Sequence, residues 1–529
     1  LELIADWLQR FGAKAPVTHE LFSDDVLRRA NAITFGSHQL PTFDLENARY
    51  VISFGSDFLG TWNSAVAHSG AYGRMRQARN GRTKLVHVDA RLSQTAANAD
   101  EFVACKPGTE GLLALAIASL VNKTTADAAD YAPAQVAEKT GVAADKIERL
   151  AKEFAANGPA VAIVGGAPLA HTNALFTAVA VNTLNKAAGT VGQPGGISFV
   201  ASSPSTATRP LADILQGTAP RVLLIDDVNP VHGTPASMKV AEALTRVPFI
   251  VSFGSFVDET SALADLILPD HSFLESWVDA APESGSAKAV PTKFGPVMKA
   301  LYDTRPTPDV LLEVSRGLAK AFSPALPNTF EEFLNTERSD ARSNVRPNDR
   351  PNDRPNVWVA PAFDGDPSQF PYHFLPYASQ ALYDGSLAHL PWLQEMPDPM
   401  SSAMWCSWVE INEKKAYELG IAQGDLIEVT STQGSVRAPA FLNPGLAPDA
   451  IAMPVGQGHS NFTRYASNRG VNPVSILAPS VVPETGTLAW SATRVKIARA
   501  GGPDTDSLIL FGGATRERPE WTHGRGDEH

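Results

Sequence analysis

Cysteine is scarce in this sequence, which has two, Cys105 and Cys406, among 529 residues. An iron–sulfur cluster needs about four thiolates set close together, so the chain cannot ligate a cluster by itself. The two cysteines form no CxxC pair and no framework of paired spacings, and isolated cysteines of this kind are typical of small buried side chains. We therefore expect neither thiol to be a metal ligand or half of a disulfide.

An excess of positive charge is also absent. The formal net charge is -12, whereas proteins that bind nucleic acid use a clustered basic face for most of their affinity. We therefore expect no nucleic-acid partner. No apolar run reaches the roughly 18 to 20 residues that cross a bilayer, and no signal peptide is recognisable. Because the chain starts at Leu1 inside a helix-like stretch, LELIADWLQRFG, we expect further residues upstream.

Several ligand-binding motifs are missing as well. Gly55 and Gly60 flank SDFL after the first predicted strand, which is not the GxGxxG spacing of a pyrophosphate-binding turn and argues against a nicotinamide or flavin dehydrogenase. There is no Walker sequence. Pairs such as His271 with Glu275 lack the HExxH spacing of a zinc site. We therefore expect no metal held by protein side chains alone.

The sequence does contain apolar material for more than one core, at 44% of its residues. Short apolar segments predict buried strands at 50–53, 84–88 and 160–164, and EGLLALAIASLV at 110–121 predicts a strong helix. A second passage of alternating strands and helices starts near Arg221. This alternation is typical of parallel sheets covered by helices on both faces.

The two passages share similar segments. VISFGSDF at 51–58 recurs as IVSFGSFV at 250–257, and ANADEFV at 97–103 has a counterpart in ALADLIL at 262–268. Two related sheet domains, each presenting its strand ends to half of one long ligand, would produce this similarity. Coincidence between buried strands that end in glycine would produce it equally well. Both interpretations stay open at this point.

The character of the sequence changes in its last third. Residues 338–356 repeat RPND in a polar, proline-rich stretch that predicts a surface excursion. Beyond it, short strands predicted at 408–412, 426–431, 436–442 and 450–454 indicate a β-barrel. The predicted fold class is α/β, with two related doubly wound α/β domains at 1–158 and 159–337, a linker at 338–400, and a barrel of the six-stranded type with a tail at 401–529.

Three segments carry candidate ligand contacts. Asp89 ends a predicted strand, where a carboxylate can accept hydrogen bonds from a ribose or guanine, although aspartate is also a common helix cap. KPGTEG at 106–111 predicts a tight turn into a helix capped by Thr109, and Glu110 there favours a donor such as guanine; a capped helix without ligand explains the same turn. The loop at 453–473, MPVGQGHSNFTRYASNRGVNP, suits an extended polar ligand or a protein partner.

Taken in order, these segments resemble the molybdopterin oxidoreductase superfamily over nearly the whole chain. The resemblance rests on DLENARYVISFGSDFLGTW, VHVDARLSQTAANADEFVACKPGTEGLLAL, the VNP loop at 228–230, LADLILPDHSFLESW, LPWLQEMPDP, VEINEKKAYELGIAQGDLIEVTSTQGSVRAPAF, and GQGH with RGVNP. It implies two α/β domains with a carboxyl-terminal barrel that hold two molybdopterin guanine dinucleotides between them.

The resemblance also implies roles for single residues. Asp89 would contact one nucleotide together with the turn residues Gly108, Thr109 and Glu110. Asn229 would lie near the other nucleotide. The pterins would be approached by Gly458, His459 and Asn472. The register of the family's molybdenum ligand falls on Ser23, which precedes two aspartates and could equally be a helix cap.

Within the superfamily, the sequence is most similar to molybdopterin-like subunits of quinone-linked respiratory assemblies such as alternative complex III, a group that lacks the molybdenum cofactor and the amino-terminal cluster. One hypothesis is therefore a cofactor-poor scaffold, peripheral on the periplasmic or outer face of a membrane. It would dock an iron–sulfur subunit or domain, a multihaem cytochrome c subunit and a quinol-binding membrane subunit.

The other hypothesis is the catalytic subunit of an active molybdenum bis-pterin oxidoreductase. It would act on a small anion such as polysulfide or thiosulfate, with Ser23 on the metal. The scarcity of cysteine and the lack of an arginine- or histidine-dense substrate funnel favour the scaffold. Whether the chain is itself an enzyme stays open.

Overall fold

The computed structural model describes residues 1–77, 82–122, 131–199, 208–280, 284–285, 292–318, 326–336, 358–501 and 507–514. This part of the chain forms two α/β units and a barrel. The RPND repeats at 338–356 lie outside the described residues. Within the described ranges, no helix has both the length and the apolar character needed to cross a bilayer.

The first α/β unit is built on a parallel sheet whose strands are buried on both faces. Its strands are β1 (Val17–Thr18), β2 (Thr42–Phe43), β3 (Tyr50–Phe54), β4 (Lys84–Asp89), β5 (Glu101–Ala104), β6 (Ala160–Val164) and β7 (Ile197–Ser198). Its helices are α1 (Glu2–Arg10), α2 (Asp25–Phe35), α3 (Ala65–Arg76), α4 (Gln94–Ala97), α5 (Glu110–Val121), α6 (Pro133–Thr140), α7 (Ala144–Ala156) and α8 (Ala174–Ala188). The sheet order is β5-β4-β3-β6, and separate apolar clusters cover its two faces. The three strands and the helix predicted from apolar runs are confirmed.

The second α/β unit has a smaller parallel sheet. Its strands are β8 (Arg209–Pro210), β9 (Leu223–Ile225), β10 (Ile250–Ser252), β11 (Leu266–Ile267), β12 (Val278–Ala280) and β13 (Thr292–Phe294). Its helices are α9 (Ala212–Gln216), α10 (Val240–Leu244), α11 (Thr307–Gly317) and α12 (Phe330–Asn335). The sheet order is β11-β10-β9. Apolar residues from α10 and the flanking loops pack on one face, and those of α1 and α11 pack on the other.

The two units share one strand pair with the same spacing along the chain. In the first unit Val88 pairs with Val103, and in the second Val251 pairs with Leu266, so the same offset along the chain joins β4 to β5 and β10 to β11. The aspartate before each edge strand repeats its role, because Asp100 accepts a hydrogen bond of 2.8 Å from the amide of Leu85 and Asp265 accepts one of 2.7 Å from Ile250. The structural counterpart of IVSF is therefore β4 rather than β3, so of the two sequence matches only ANADEFV with ALADLIL aligns equivalent strands.

The third unit is a closed six-stranded barrel. Its strands are β14 (Tyr372–Tyr377), β15 (Val409–Asn412), β16 (Leu426–Thr430), β17 (Ser435–Asn443), β18 (Ala450–Pro454) and β19 (Arg494–Arg499), followed by a hairpin of β20 (Ile509–Leu510) and β21 (Gly513–Ala514). Its short helices are α13 (Pro391–Gln394), α14 (Glu413–Glu418) and α15 (Thr463–Ala466). The order around the barrel is β14-β18-β15-β17-β16-β19. One wall, β14, falls inside the range 338–400 that the sequence assigns to a linker, because YHFLPY gives no clear alternation of polar and apolar residues.

A buried ion pair joins the first unit to the barrel. Arg91, just beyond β4, donates hydrogen bonds of 3.0 and 2.8 Å to the two carboxylate oxygens of Glu410 in β15. The hydroxyl of Tyr377 and the amide of Asn443 donate to the same carboxylate at 2.6 and 2.8 Å. The guanidinium also lies over the Tyr377 ring, 3.4 Å from its centroid. This network fixes the barrel against the strand ends of the first sheet.

Candidate functional site

Asp89 lies at the end of β4, where the sequence predicts it, and its carboxylate is largely engaged by its own turn. One oxygen accepts hydrogen bonds from the amides of Ala90 at 2.7 Å and Arg91 at 3.4 Å. The other lies 3.5 Å from the Nε2 of the buried His87. Local turn formation therefore accounts for most of the acceptor capacity of this side chain.

The turn at 106–111 opens α5 as expected, but its side chains point back into protein. The Thr109 hydroxyl donates to the carbonyl of Lys106 at 2.7 Å and makes no cap bond to the helix, so the predicted capping role is wrong. Gly108 has φ +79°, and a Cβ added there would lie 2.5 Å from the Pro361 ring. Its carbonyl accepts a hydrogen bond of 3.0 Å from Asn173. The chain beyond residue 357 thus packs directly on this turn.

Glu110 is the exception, because part of its carboxyl group is left without a partner. Its side chain is 2% exposed, and Oε2 has no hydrogen-bond partner among the described residues. Burial, assisted by the charge of Asp89, raises the pKa of Glu110 to about 8. The group is therefore largely protonated at neutral pH and can both donate and accept a hydrogen bond.

A second group of side chains meets where the second α/β unit contacts the barrel. Asn229, in the loop after β9, donates a hydrogen bond of 2.8 Å to Glu259 and accepts one of 2.6 Å from Thr260. The other carboxylate oxygen of Glu259 accepts hydrogen bonds from the amides of Ser460 and Asn461 at 2.6 and 3.2 Å. Glu259 therefore links its own unit to the loop at 453–473.

His459 lies at the centre of this junction and is 2% exposed. Its Nδ1 is 3.2 Å from Glu259 Oε2 and its Nε2 is 3.1 Å from the carbonyl oxygen of Gly385. Its ring stacks on that of His232, with centroids 3.6 Å apart and planes 10° apart. Asn472 donates to the backbone carbonyl of His232 at 2.8 Å. We call His232, Glu259 and His459 the junction triad.

The electrostatics of the junction follow from burial and from these contacts. Burial by itself would raise the pKa of Glu259, but the hydrogen bonds from His459 and Asn229 lower it overall, so the carboxylate is ionised. Burial and the neighbouring His459 lower the pKa of His232 to about 3, so this ring is neutral near pH 7. The junction therefore offers one carboxylate and one neutral imidazole to any cation that enters it.

Ser23 occupies the turn before α2, and its hydroxyl accepts a hydrogen bond of 3.2 Å from the amide of Asp25. The segment around it lies beside the junction. The Phe22 ring is 5.7 Å from that of Tyr383, and His19 Nε2 is 3.1 Å from the carbonyl of Gly233, next to His232. The structure thus brings Ser23, Asn229, His459 and Asn472 into one region, while Asp89, Gly108, Thr109 and Glu110 line the first sheet.

Sequence analysis missed His232, Glu259 and Gly385 as members of the junction. His232 follows the VNP loop directly, and this proximity to Asn229 is a usable signal. Glu259 and Gly385 give no such signal, because their roles depend on contacts with residues 200 and 74 positions away in sequence.

Two parallel α/β units and a closed barrel therefore meet at a buried polar junction. Residues 5–316 match the family model described as molybdopterin oxidoreductase, and residues 392–490 match the model of the molydopterin dinucleotide binding domain. The chain belongs to the molybdopterin oxidoreductase family.

Individual relatives agree with this assignment. The chain is 27% identical over 499 residues to the molybdopterin-binding-like subunit of menaquinone reductase from Nitratidesulfovibrio vulgaris (strain Hildenborough), covering 87% of this chain and 72% of that one. It is 22% identical over 619 residues to the molybdopterin-containing subunit of arsenate respiratory reductase from Shewanella sp. (strain ANA-3), covering 82% and 71%. Acetylene hydratase from Pelobacter acetylenicus has the same fold, with a TM-score of 0.73, 13% identity and coverage of 94% and 84%.

The family's cofactor gives a test of fit for these residues. At the pterin end they do not fit, because their polar atoms already bind protein. Both ring nitrogens of His459 face protein oxygens, and Asn472 uses its amide on His232 and its oxygen on Val474. A Cβ on Gly458 would lie 2.1 Å from the Asn472 amide nitrogen. At the residue assigned to the second nucleotide, both amide atoms of Asn229 are engaged. At the first nucleotide, Glu110 retains an oxygen without a hydrogen-bond partner among the described residues.

Proposed function

We propose that this chain is a cofactor-poor structural subunit of a membrane-associated, quinol-oxidising respiratory complex of the alternative complex III type. One observation carries the proposal: the side chains of His459 and Asn472, assigned by resemblance to the pterins, hydrogen-bond to neighbouring protein groups instead of facing a ligand. A junction satisfied in this way holds the units together and does not bind an extended pterin.

The relatives support a role inside an assembly. Both the menaquinone reductase and the arsenate reductase relatives are described as subunits, and the former aligns with most of this chain under the description molybdopterin-binding-like. We infer that this chain also has partners. These would be an iron–sulfur subunit or domain, a multihaem cytochrome c subunit and a quinol-binding membrane subunit, with the chain peripheral on the periplasmic or outer face.

An exposed apolar surface on the second α/β unit supports docking of another protein. Phe273, Val297, Leu301 and Tyr302 are 75, 76, 69 and 80% exposed. Their loops lie together, because the amide of Val297 donates to the carbonyl of Leu274 at 2.9 Å and that of Leu301 donates to Glu275 at 2.9 Å. Clustered apolar side chains of this size are typical of protein interaction sites.

Metal and pterin analysis of the complex isolated from its own cells tests the proposal. We expect molybdenum far below one atom per chain and no fluorescent pterin after oxidative release. A known bis-pterin enzyme isolated from the same cells is the control for cofactor supply. Stoichiometric molybdenum with two pterins per chain would refute the proposal.

A second function has one specific observation in its favour. The unpaired, buried oxygen of Glu110 and the match to a dinucleotide binding domain both suit a guanine nucleotide. On this alternative the chain is the catalytic subunit of a molybdenum bis-pterin enzyme that acts on a small anion such as polysulfide or thiosulfate. The same analysis separates the two functions, because only the alternative requires a full complement of molybdenum and pterin.

A further inference from the structure

The contacts of His459 require one more hydrogen-bond donor than a neutral imidazole ring has. Its Nδ1 faces a carboxylate oxygen of Glu259 and its Nε2 faces the carbonyl oxygen of Gly385. Both neighbours are acceptors, whereas a neutral imidazole has one N–H and can donate to only one of them. In the tautomer whose Nε2–H donates to Gly385, a second proton or another cation is needed between His459 Nδ1 and Glu259.

The surroundings of His459 and Glu259 are those of metal ligands. A histidine that binds a metal through one nitrogen usually donates its other N–H to a carbonyl or carboxylate, and Gly385 supplies such a carbonyl at 3.1 Å. Ligating carboxylates are themselves held by hydrogen bonds, and Glu259 accepts three from Asn229, Ser460 and Asn461. Hydrogen bonds from surrounding groups thus hold both side chains in place, and a proton shared between them would not require this support.

His232 supplies the third donor atom. A Cβ on Gly385 would lie 2.9 Å from His459 Nε2 and 3.0 Å from His232 Nε2, so both Nε2 atoms are on one side of the stacked rings and both Nδ1 atoms are on the other. The Asn472 amide nitrogen lies 3.4 Å from His232 Nδ1, which therefore presents a lone pair. One donor atom from each member of the junction triad lies within 4.8 Å of the others.

We propose that His232, Glu259 and His459 bind one divalent first-row metal ion, for which zinc is the best fit to two imidazoles and a carboxylate. The ion would replace the proton between His459 and Glu259. Because the stacked rings are nearly parallel, the His232 ring must tilt out of the stack to direct its lone pair at the ion, and it then also gives up its 3.4 Å contact with Asn472. The ion would join the second α/β unit to the barrel loop.

This inference goes beyond the proposed function and differs from the expectation of no protein-held metal, which considered only ligands close in sequence. The triad spans residues 232 to 459, so no local spacing reveals it. It requires no molybdenum or pterin in the chain.

The test is zinc analysis of the intact protein purified without chelators, dialysed against zinc chloride and then against metal-free buffer. We expect one zinc per chain in the wild type and in a His389→Asn control, whose ring contacts Phe462 but lies outside the triad. Glu259→Gln and His459→Asn should each lose most of this zinc while they keep a cooperative thermal transition. Equal retention by the two triad variants and the control would overturn the proposal.

X-ray absorption on the wild type keeps the test decisive even if the variants fail to fold. The zinc edge should show nitrogen and oxygen ligands at about 2.0 to 2.2 Å and no sulfur. A protein with no bound zinc, or with sulfur in the first shell, would overturn the proposal. Molybdenum measured in the same sample tests the proposed function separately, because neither zinc result changes the molybdenum content that the proposed function predicts.

Discussion

Replacing Arg91 by methionine should destabilise the contact between the first α/β unit and the barrel. The Arg91 and Glu410 side chains are only 10% and 2% exposed, and methionine keeps the apolar stem while it removes the guanidinium. Burial alone would raise the pKa of Glu410, and Arg91 more than reverses this, so the pKa lies below its ordinary value. Without Arg91, the structure leaves a buried carboxylate that retains Tyr377 and Asn443 but has lost its bidentate cation.

The size of the effect follows from this partial compensation. Removing one partner of a buried ion pair costs about 3 to 5 kcal/mol, and the two remaining hydrogen bonds place the expected loss for Arg91→Met near the lower end, at about 3 kcal/mol. Urea unfolding at neutral pH, followed by tryptophan fluorescence, measures it. The double variant Arg91→Met with Glu410→Leu should be more stable than Arg91→Met because it removes the unpaired charge. It should remain less stable than wild type because the Tyr377 hydroxyl and the Asn443 amide lose their acceptor.

An exposed pair in the same barrel provides the matched control. Arg437 bonds Glu428 across β16 and β17 with side chains 58% and 30% exposed, and Arg437→Met should cost no more than about 1 kcal/mol. If Arg91→Met also costs less than about 1 kcal/mol, or if the double variant is no more stable than the single one, the reasoning about a buried charge at this contact fails.

Three further predictions follow from single sites. Because burial raises the pKa of Glu110 from 4.5 to about 8, the stabilisation from its protonated form is complete below the unfolded value and is lost as pH rises through about 8. The free energy of unfolding measured with urea should therefore fall by a few kcal/mol between about pH 5 and 8 for wild type and stay flat for Glu110→Gln, and parallel profiles would contradict the assignment. Gly458→Ala places a Cβ 2.1 Å from the Asn472 amide nitrogen at φ +87°, so thermal unfolding should show that the folded state loses several kcal/mol of stability. The control Gly36→Ala, at φ +72° in open space, should cost only about 1 to 2 kcal/mol. Equal losses would show that the close contact has no effect. Cys105 and Cys406 are buried thiols, and burial with the charge of Glu110 raises the pKa of the Cys105 thiol. Ellman's reagent should therefore titrate no thiol in the native protein and both after denaturation, and rapid reaction of the folded chain would count against their burial.

Local pattern was sufficient for the strands of the first sheet and most of the barrel. β3 and β6 are uninterrupted apolar runs buried along their whole length, which is what a doubly covered parallel sheet requires. The repeated AD dipeptide was also a sound signal, since Asp100 and Asp265 bond equivalent strands. The match of VISFGSDF with IVSFGSFV was a weaker signal, because it aligned β10 with β3 instead of β4.

Long-range contacts were beyond the reach of sequence patterns. One local contact was missed too, because the Thr109 hydroxyl donates to the carbonyl of Lys106 three residues earlier instead of capping the helix. Glu259 and Gly385 acquire their roles only when His459 is brought to them. β14 was hidden because it pairs with β18 and β19 rather than with a neighbour in sequence, so no hairpin signal marks it.

The strand order of the barrel determines when the barrel can fold during synthesis on the ribosome. All four strands of the first sheet lie before residue 165 and the covering helix α8 ends at Ala188, so most of that unit can fold while the rest of the chain is still being translated. The barrel cannot close until β19, at Arg494–Arg499, has emerged to meet β14. We therefore expect nascent chains stalled near residue 480 to resist protease over the amino-terminal unit while everything after residue 358 is still digested.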